Sequence, residues 1–427
     1  MTDQTTIKPK MFPILMVTFI DMLGMSVVLP FLVIIVLNMG GNEYTYGLLG
    51  AMYSIFQLIG APVLGNWSDK IGRKKILLLS EIGTCLGWVI FIVGLLLPPK
   101  LTATLHINGA IVFSVPLILI FVARALDGLT GGSISVANAY VADISKREDR
   151  KKNFGKISAA SNLGIIFGPL LAGLLGATKL GNLLPVIATA LISFIAIFVI
   201  YFYVHESRIL KVAANTMNQP EPESKEKKRR KDLPLFKVFK IPMVPYFLLL
   251  YFLIYLAFNF FYVAFPVYAA GQLKWTVLQL GIFFSFLSGA LVIVQGPLLS
   301  FLGKKFSGAS LVICGCFLLA VCFTCLTISS TVVMYVGALF FALGNGIMWP
   351  SFVALLSNTG DENTQGSIQG TASSAGSFAS IIGLVSGAFM FSILHESIFF
   401  VTAGFMVLIA LLSIPLIKME KAENDSV

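Results

Sequence analysis

Four ionisable residues stand inside hydrophobic runs of this sequence. Asp21 lies about ten residues into the first run, Glu81 lies in the third, and Arg124 and Asp127 sit three apart in the fourth. A charge held in hydrocarbon is costly, so a side chain that keeps one there faces a cavity or a partner and marks a proton or substrate path. At about 1.5 Å per helical residue, Asp21 is about 15 Å deep from the cytoplasmic side, and Arg124 is roughly 15 to 20 Å from the outer end of its inward-running helix. The two side chains are therefore expected to meet near the midplane. Asp127 shares a helix face with Arg124, and a purely structural ion pair is the alternative reading of those two. Burial favours a neutral carboxyl while a nearby guanidinium favours an ionised one, so a carboxyl that changes its distance to an arginine takes up and releases a proton. Asp21 is expected to be the principal proton-coupling group, with Arg124 and Asp127 setting its affinity. Glu81, nearer the cytoplasm, is expected to be either a relay or a structural residue.

Twelve apolar segments must position these residues: 11–37, 44–65, 75–97, 110–142, 154–177, 183–205, 243–268, 277–300, 308–328, 332–357, 364–393 and 396–418. With 57% hydrophobic and 12% charged residues and a mean hydropathy of +0.90, an ordinary soluble domain is excluded. The expected fold is an all-α membrane protein with two pseudo-symmetric six-helix bundles, residues 1–205 and 241–427. Between them, 206–240 reads as a solvated cytoplasmic basic linker, with a Lys-Glu-Lys-Lys-Arg-Arg-Lys run at Lys225–Lys231. With the N-terminus inside, 25 of the 30 Lys and Arg fall in cytoplasmic loops and tails, and only Lys100, Lys179 and Lys274 fall outside. Both termini are thus expected in the cytoplasm, and a net charge of +10 requires no nucleic-acid partner. The first apolar run is too long for a signal-peptide core and is expected to remain as a helix. Cys85, Cys314, Cys316, Cys322 and Cys325 all lie in apolar runs, where thiols usually act as small hydrophobes.

Between the second and third segments the chain reads Gly65-Asn-Trp-Ser-Asp69-Lys-Ile-Gly72-Arg73-Lys-Lys75. Gly65 and Gly72 are expected to turn a tight hairpin, with Asp69 opening the next helix at its positive dipole end. A simple capping turn with snorkelling lysines is the plain reading. In a twelve-segment chain the pattern resembles the signature loop of the major facilitator superfamily. Its spacing recurs at Gly296 to Lys305, where Ser300 replaces the aspartate, consistent with two parallel repeats. In the fifth segment, Gly164, Gly168-Pro169 and Gly173 resemble the antiporter motif of drug/proton exchangers, although such spacing also serves close helix packing. Ala123 to Gly132 resembles the family's fourth-helix arginine motif, and Tyr140-Val-Ala-Asp143-Ile its cytoplasmic end. Asp21, Gly24 and Pro30 are similar to the first helix of tetracycline/proton antiporters. The resemblance implies alternating access, export driven by the proton gradient without a cofactor, and a cytoplasmic latch in which Asp143 is the partner of Arg73. Where tetracycline exporters carry a third-helix acid this chain has Gly87, and its ninth segment holds no acid. Tetracycline itself is therefore not implied as the substrate.

The second bundle has no ionisable residue at clear midplane depth. It offers the amides Asn259, Gln295, Asn345 and Gln369, together with Trp349 and an aromatic stripe of Tyr251, Tyr255, Phe258, Tyr262 and Phe265. Such a stripe serves either helix packing or a π-rich wall for a bulky amphipathic or cationic compound. The expected substrate contacts are Asp21, Gln57 and Arg124 from the first half and Tyr255, Asn259, Tyr262, Gln295, Asn345 and Trp349 from the second. No phosphate-cradling loop or metal-spaced His/Cys set is present in the sequence, and no enzymatic activity is expected. The expected function is proton-coupled antiport of a small organic compound out of the cell, by a monomer in a plasma or bacterial inner membrane. Its partners are then the substrate, protons and the bilayer. Import or uniport of a metabolite, and a non-transporting receptor, are the alternatives. The topology has a direct test with single cysteines at Asn42, Ser224 and Ser426 in a Cys-free background. Asn42→Cys should react with an impermeant thiol reagent in intact cells and the other two should not; the reverse labelling would overturn it.

Overall fold

Long apolar segments in lipid must satisfy every backbone polar group internally, and helices do this within one segment. The computed structural model describes residues 11–98, 114–131, 133–145, 149–207, 238–359 and 364–424. Its first half contains α1 (Phe12–Asn38), α2 (Glu43–Ile71), α3 (Arg73–Leu96), α4 (Val115–Thr130), α5 (Ser133–Ile144), α6 (Arg150–Gly176) and α7 (Leu183–Tyr203). The second half contains α8 (Val244–Gly271), α9 (Val277–Ile293), a π-turn at Val294–Leu298, α10 (Leu299–Leu302), α11 (Gly308–Cys325), α12 (Thr331–Asn358), α13 (Gln365–Leu394), α14 (Ile398–Leu412) and α15 (Ile414–Asn424). Ser114 caps α4, a reciprocal Thr276–Gln279 capping box starts α9, and Ser307 caps α11.

Among the described residues, ten helical stretches are long and apolar enough to cross a membrane, and the bent pair Phe12–Val28 and Phe31–Asn38 adds an eleventh. The last stretch, Ser367–Lys421, runs 55 residues. That is more than twice what one crossing needs. It breaks at His395, whose φ of 48° lies in the left-handed region, into α13 and the α14–α15 pair. Counted as two spans, it brings the total to the twelve segments read from sequence.

Two compact units emerge. Among the described residues, one draws on 11–31, 52–98 and 114–207, and the other on 32–51 and 238–424. In the first unit, α3 packs against α4, α5 and α7. Ile14, Leu64, Ile76, Tyr140, Ile157 and Ile200 close an apolar core at one end of it. In the second, α8 packs against α13 and α11 against α12, where a Cβ on Gly315 would lie 2.5 Å from Gly344 O and from Met348 Cβ. The first turns of α2 belong to this second unit, with Tyr44 Oη 2.5 Å from Ser392 Oγ.

The signature loop departs from the expected hairpin. α2 continues to Ile71 and α3 begins at Arg73, so the turn is the single residue Gly72, with a φ of 117° that favours glycine. Gly65 is an interior helical residue whose carbonyl accepts from Ser68 Oγ at 2.6 Å. Asp69 therefore stands in the last turn of α2 and does not open α3. Nothing in residues 65–71 interrupts a helix, so the chain keeps its intrahelical hydrogen bonds to the last possible position.

Candidate functional site

Glycines in α6 determine where α1 sits. A Cβ on Gly164 would come within 2.5 Å of Phe19 O and 2.8 Å of Leu23 N, and one on Gly168 would overlap Ser26 Oγ. Ser26 Oγ itself donates to Gly164 O at 3.0 Å. Pro169 and Gly173 are buried on the same helix. The small residues of α6 thus receive the turns of α1 on either side of Asp21, which is the close approach such spacing permits.

Asp21 faces Glu81 of α3 and the Ser133 hydroxyl of α5, and Glu81 also faces Ser193 of α7. Asp21 Oδ2 and Glu81 Oε1 are buried without a hydrogen-bond partner among the described residues. The expected meeting of Asp21 with Arg124 does not occur. Arg124 Nη1 donates to Asp127 Oδ2 at 2.8 Å, and its guanidinium lies over the Tyr53 ring, 4.5 Å from the centroid. Depth along a helix fixes height but not direction around the axis, and Asp127, one turn away on the same face, is the nearer anion. Gln57 Nε2 donates to Tyr53 Oη at 2.9 Å and to Gly131 O, at the break between α4 and α5. A cleft of about 30 Å³ adjoins this group, lined by Asp21, Met25, Tyr53, Thr84, Trp88 and Asp127 among others.

In the second unit the aromatic stripe divides by role. Phe258 packs on Phe341, and Phe265 stacks on Phe283 at 4.4 Å. Tyr251 and Tyr255 stack at 4.9 Å, and Trp349 meets both edge-on at 5.2 and 5.4 Å. Asn259 Nδ2 donates to Tyr255 O at 2.7 Å and to Ser380 Oγ at 3.1 Å. Tyr262 is half-buried, and its carbonyl accepts from Tyr46 Oη. Gln295 lies in the π-turn, whose Val294 occupies the space beside Gly346, and Asn345 Oδ1 is buried without a partner among the described residues.

A charged network surrounds the Gly72 turn. Arg73 Nε donates to Asp143 Oδ2 at 3.2 Å, Nη2 lies 2.5 Å from Asp69 Oδ1, and Nη1 donates to Ser68 Oγ at 2.5 Å. The Asp69 side chain is 64% exposed, so its ion pair contributes little stability. The stronger element is a residue that sequence reading passed over. Glu206 accepts from the backbone N–H of Arg73 at 2.9 Å and of Lys74 at 3.2 Å, and the next residue, the fully buried Ser207, donates to Asp143 Oδ2 at 3.2 Å. A carboxylate placed there satisfies two orphan donors and meets the positive end of the α3 dipole. The other unit repeats the device: Glu420 of α15 accepts from Gly308 N at 2.8 Å and Ala309 N at 2.9 Å at the start of α11. An acid directly after an apolar run, with basic residues at a nearby helix start, was the available signal. Both acids looked like parts of polar tails.

Comparison with known proteins agrees with this architecture. The family model of the Major Facilitator Superfamily matches residues 14–307 and 247–426. The chain is 26% identical over 394 residues to a class E tetracycline resistance protein of Escherichia coli, covering 90% of this chain and 88% of that one. It is 26% identical over 416 residues to multidrug resistance protein 2 of Bacillus subtilis (strain 168), covering 96% and 94%. The crystal structure of a D-xylose-proton symporter superposes with a TM-score of 0.73 at 15% identity, over 95% of this chain and 96% of that one.

Replacing the Glu206 carboxylate should be felt at the turn. Glu206→Gln leaves one acceptor oxygen for two N–H donors and should cost about 1 to 3 kcal/mol, read as a lower thermal unfolding midpoint in detergent. An unchanged midpoint would show that the cap carries no stability.

Proposed function

We propose, from the premise that the chain belongs to the Major Facilitator Superfamily, that this multi-pass membrane transporter exports a small organic compound in exchange for protons. The reading rests on one observation: the partly buried Asp21 and the buried Glu81 of the same unit face each other while the nearby Arg124 is already engaged by Asp127 and Tyr53. Two carboxyls within reach of each other are held by a shared proton, and its loss leaves two like charges in a site without a free cation among the described residues. Proton departure would therefore drive Asp21 and Glu81 apart, and α1 with its carboxyl would shift on the glycine seats of α6. Substrate in the adjoining cleft competes with the proton by donating hydrogen bonds to the same oxygens. In a fold that exposes one site alternately to either side, mutually exclusive ligands give exchange.

The charge asymmetry of the loops supports a cytoplasmic side for both termini, in a plasma or bacterial inner membrane. Protons enter from outside and substrate leaves, with no cofactor and with the monomer as the working unit. Arg73, Asp69, Asp143 and Glu206 form the cytoplasmic gate in this account. The relatives named for tetracycline and multidrug resistance support export. Gly87, where the tetracycline exporters are expected to carry an acid, argues for a different compound.

Inverted vesicles carrying an inward-acid gradient test the reading against a drug-like panel that includes tetracycline. A transported compound should alkalinise the lumen, and Asp21→Asn and Glu81→Gln should each abolish that response while leaving the protein folded. Transport without a pH change would indicate uniport. Uphill transport by Asp21→Asn with unaltered pH dependence would remove the carboxyl pair from the mechanism.

A further inference from the structure

Beside the cleft that Asp21 lines in the first unit lies a smaller one of about 10 Å³, room for one water-sized atom, lined by Gly87, Trp88, Phe91, Ala123, Arg124 and Asp127. Trp88 and Asp127 line both. Two of these residues each carry a buried donor, Trp88 Nε1 and Arg124 Nε, that has no hydrogen-bond partner among the described residues. Trp88 is 4% exposed and Arg124 7%. A buried indole N–H ordinarily finds an acceptor, and an unpaired buried donor is a standing cost that a ligand can relieve. Gly87 lets α3 pack tightly on α4 at this wall, because a Cβ there would lie 3.2 Å from Ala123 O.

We infer that Trp88 Nε1 and Arg124 Nε form a subsite for a neutral carbonyl oxygen of the substrate, a ketone, amide or lactone on a flat ring system. The Arg124 plane is fixed by its bond to Asp127 and by the Tyr53 ring beneath it, so Nε is held in place before any ligand arrives. Asp127 already neutralises the guanidinium. An anionic oxygen would add an uncompensated charge among Asp21, Glu81 and Asp127, whereas a carbonyl satisfies both donors without one. A cationic group gains nothing from two N–H donors. Aromatic walls at Trp88, Phe91 and Tyr53 suit the ring that bears the carbonyl. The inference deepens the proposed function, resting on the first-unit cleft as the substrate site, and assigns Trp88 a contact that sequence reading did not.

The test uses the full chain in detergent with two isosteric probes, 2-acetonaphthone and 2-ethylnaphthalene, with 2-naphthoate as the anionic control. The wild type should bind the ketone about tenfold more tightly than the hydrocarbon, the discrimination expected of hydrogen bonds that include a charged donor. Trp88→Phe keeps a ring and removes the N–H, so the preference should shrink while affinity for 2-ethylnaphthalene is retained. Partitioning into micelles cancels in the comparison of the two proteins. Should Trp88→Phe not fold, indole ¹⁵N–H spectra of the wild type decide: the Trp88 signal, assigned by replacing the other three tryptophans with Phe, should move with the ketone and not with the hydrocarbon. Equal affinities in the wild type, an undiminished preference in Trp88→Phe, tighter binding of 2-naphthoate, or no binding of either neutral probe would each overturn the subsite. Binding is measured without a pH gradient, so its outcome is independent of whether proton exchange is found.

Discussion

Charge in a low-dielectric interior must be partnered or neutralised, and the first unit is arranged around that constraint. Arg124 obtains its partner one turn along its own helix and a ring beneath its plane. Asp21 and Glu81 are left with each other and with the hydroxyls of Ser133 and Ser193. For that encounter α1 must lie close enough to α3 to bring Asp21 to Glu81. The glycines of α6 supply a seat for α1, and the Ser26 hydroxyl bonded to the Gly164 carbonyl holds it there. The resemblance to an antiporter motif thereby acquires a physical meaning: small residues in α6 set the position of a carboxyl in α1.

A second constraint acts at the helix ends. The first N–H groups of a helix have no intrahelical partner and carry a positive partial charge. At α3 the neighbouring side chains are themselves basic, Arg73, Lys74 and Lys75, so a carboxylate from elsewhere in the chain is the natural complement. Glu206 supplies it after α7, and Glu420 supplies the same contact to α11 from α15. Each unit thus ties the end of its last helix to the start of an earlier one. In the first unit Ser207 extends the tie to Asp143 and hence to Arg73.

The architecture was legible because hydrophobicity in a membrane is nearly a direct record of burial in lipid. Segment number and the basic loops follow from composition alone, and the motif loop from its spacing. The details that failed share one cause: sequence distance gives height along a helix but not which way a side chain points. Asp21 and Arg124 have similar depths, yet Asp21 turns to Glu81 and Arg124 to Asp127. Asp69 and Gly65 looked like turn residues because charge and glycine mark loops, but Gly72 alone needed the left-handed conformation. Glu206 and Ser207 were hidden by the polar stretch that follows them. Trp88 carried no signal, since an indole in an apolar run is usually packing, and its unpaired N–H is visible only in three dimensions.

The central claim is that Asp21 and Glu81 bind one proton as a unit. Infrared difference spectroscopy of the purified protein, recorded through a pH titration in H₂O and D₂O, reads it directly. The account predicts one carboxylic-acid C=O stretch that shifts on deuteration and is lost, as a single band, in either Asp21→Asn or Glu81→Gln. A band that persists in both variants, or two independent bands each removed by one of them, would contradict a shared proton.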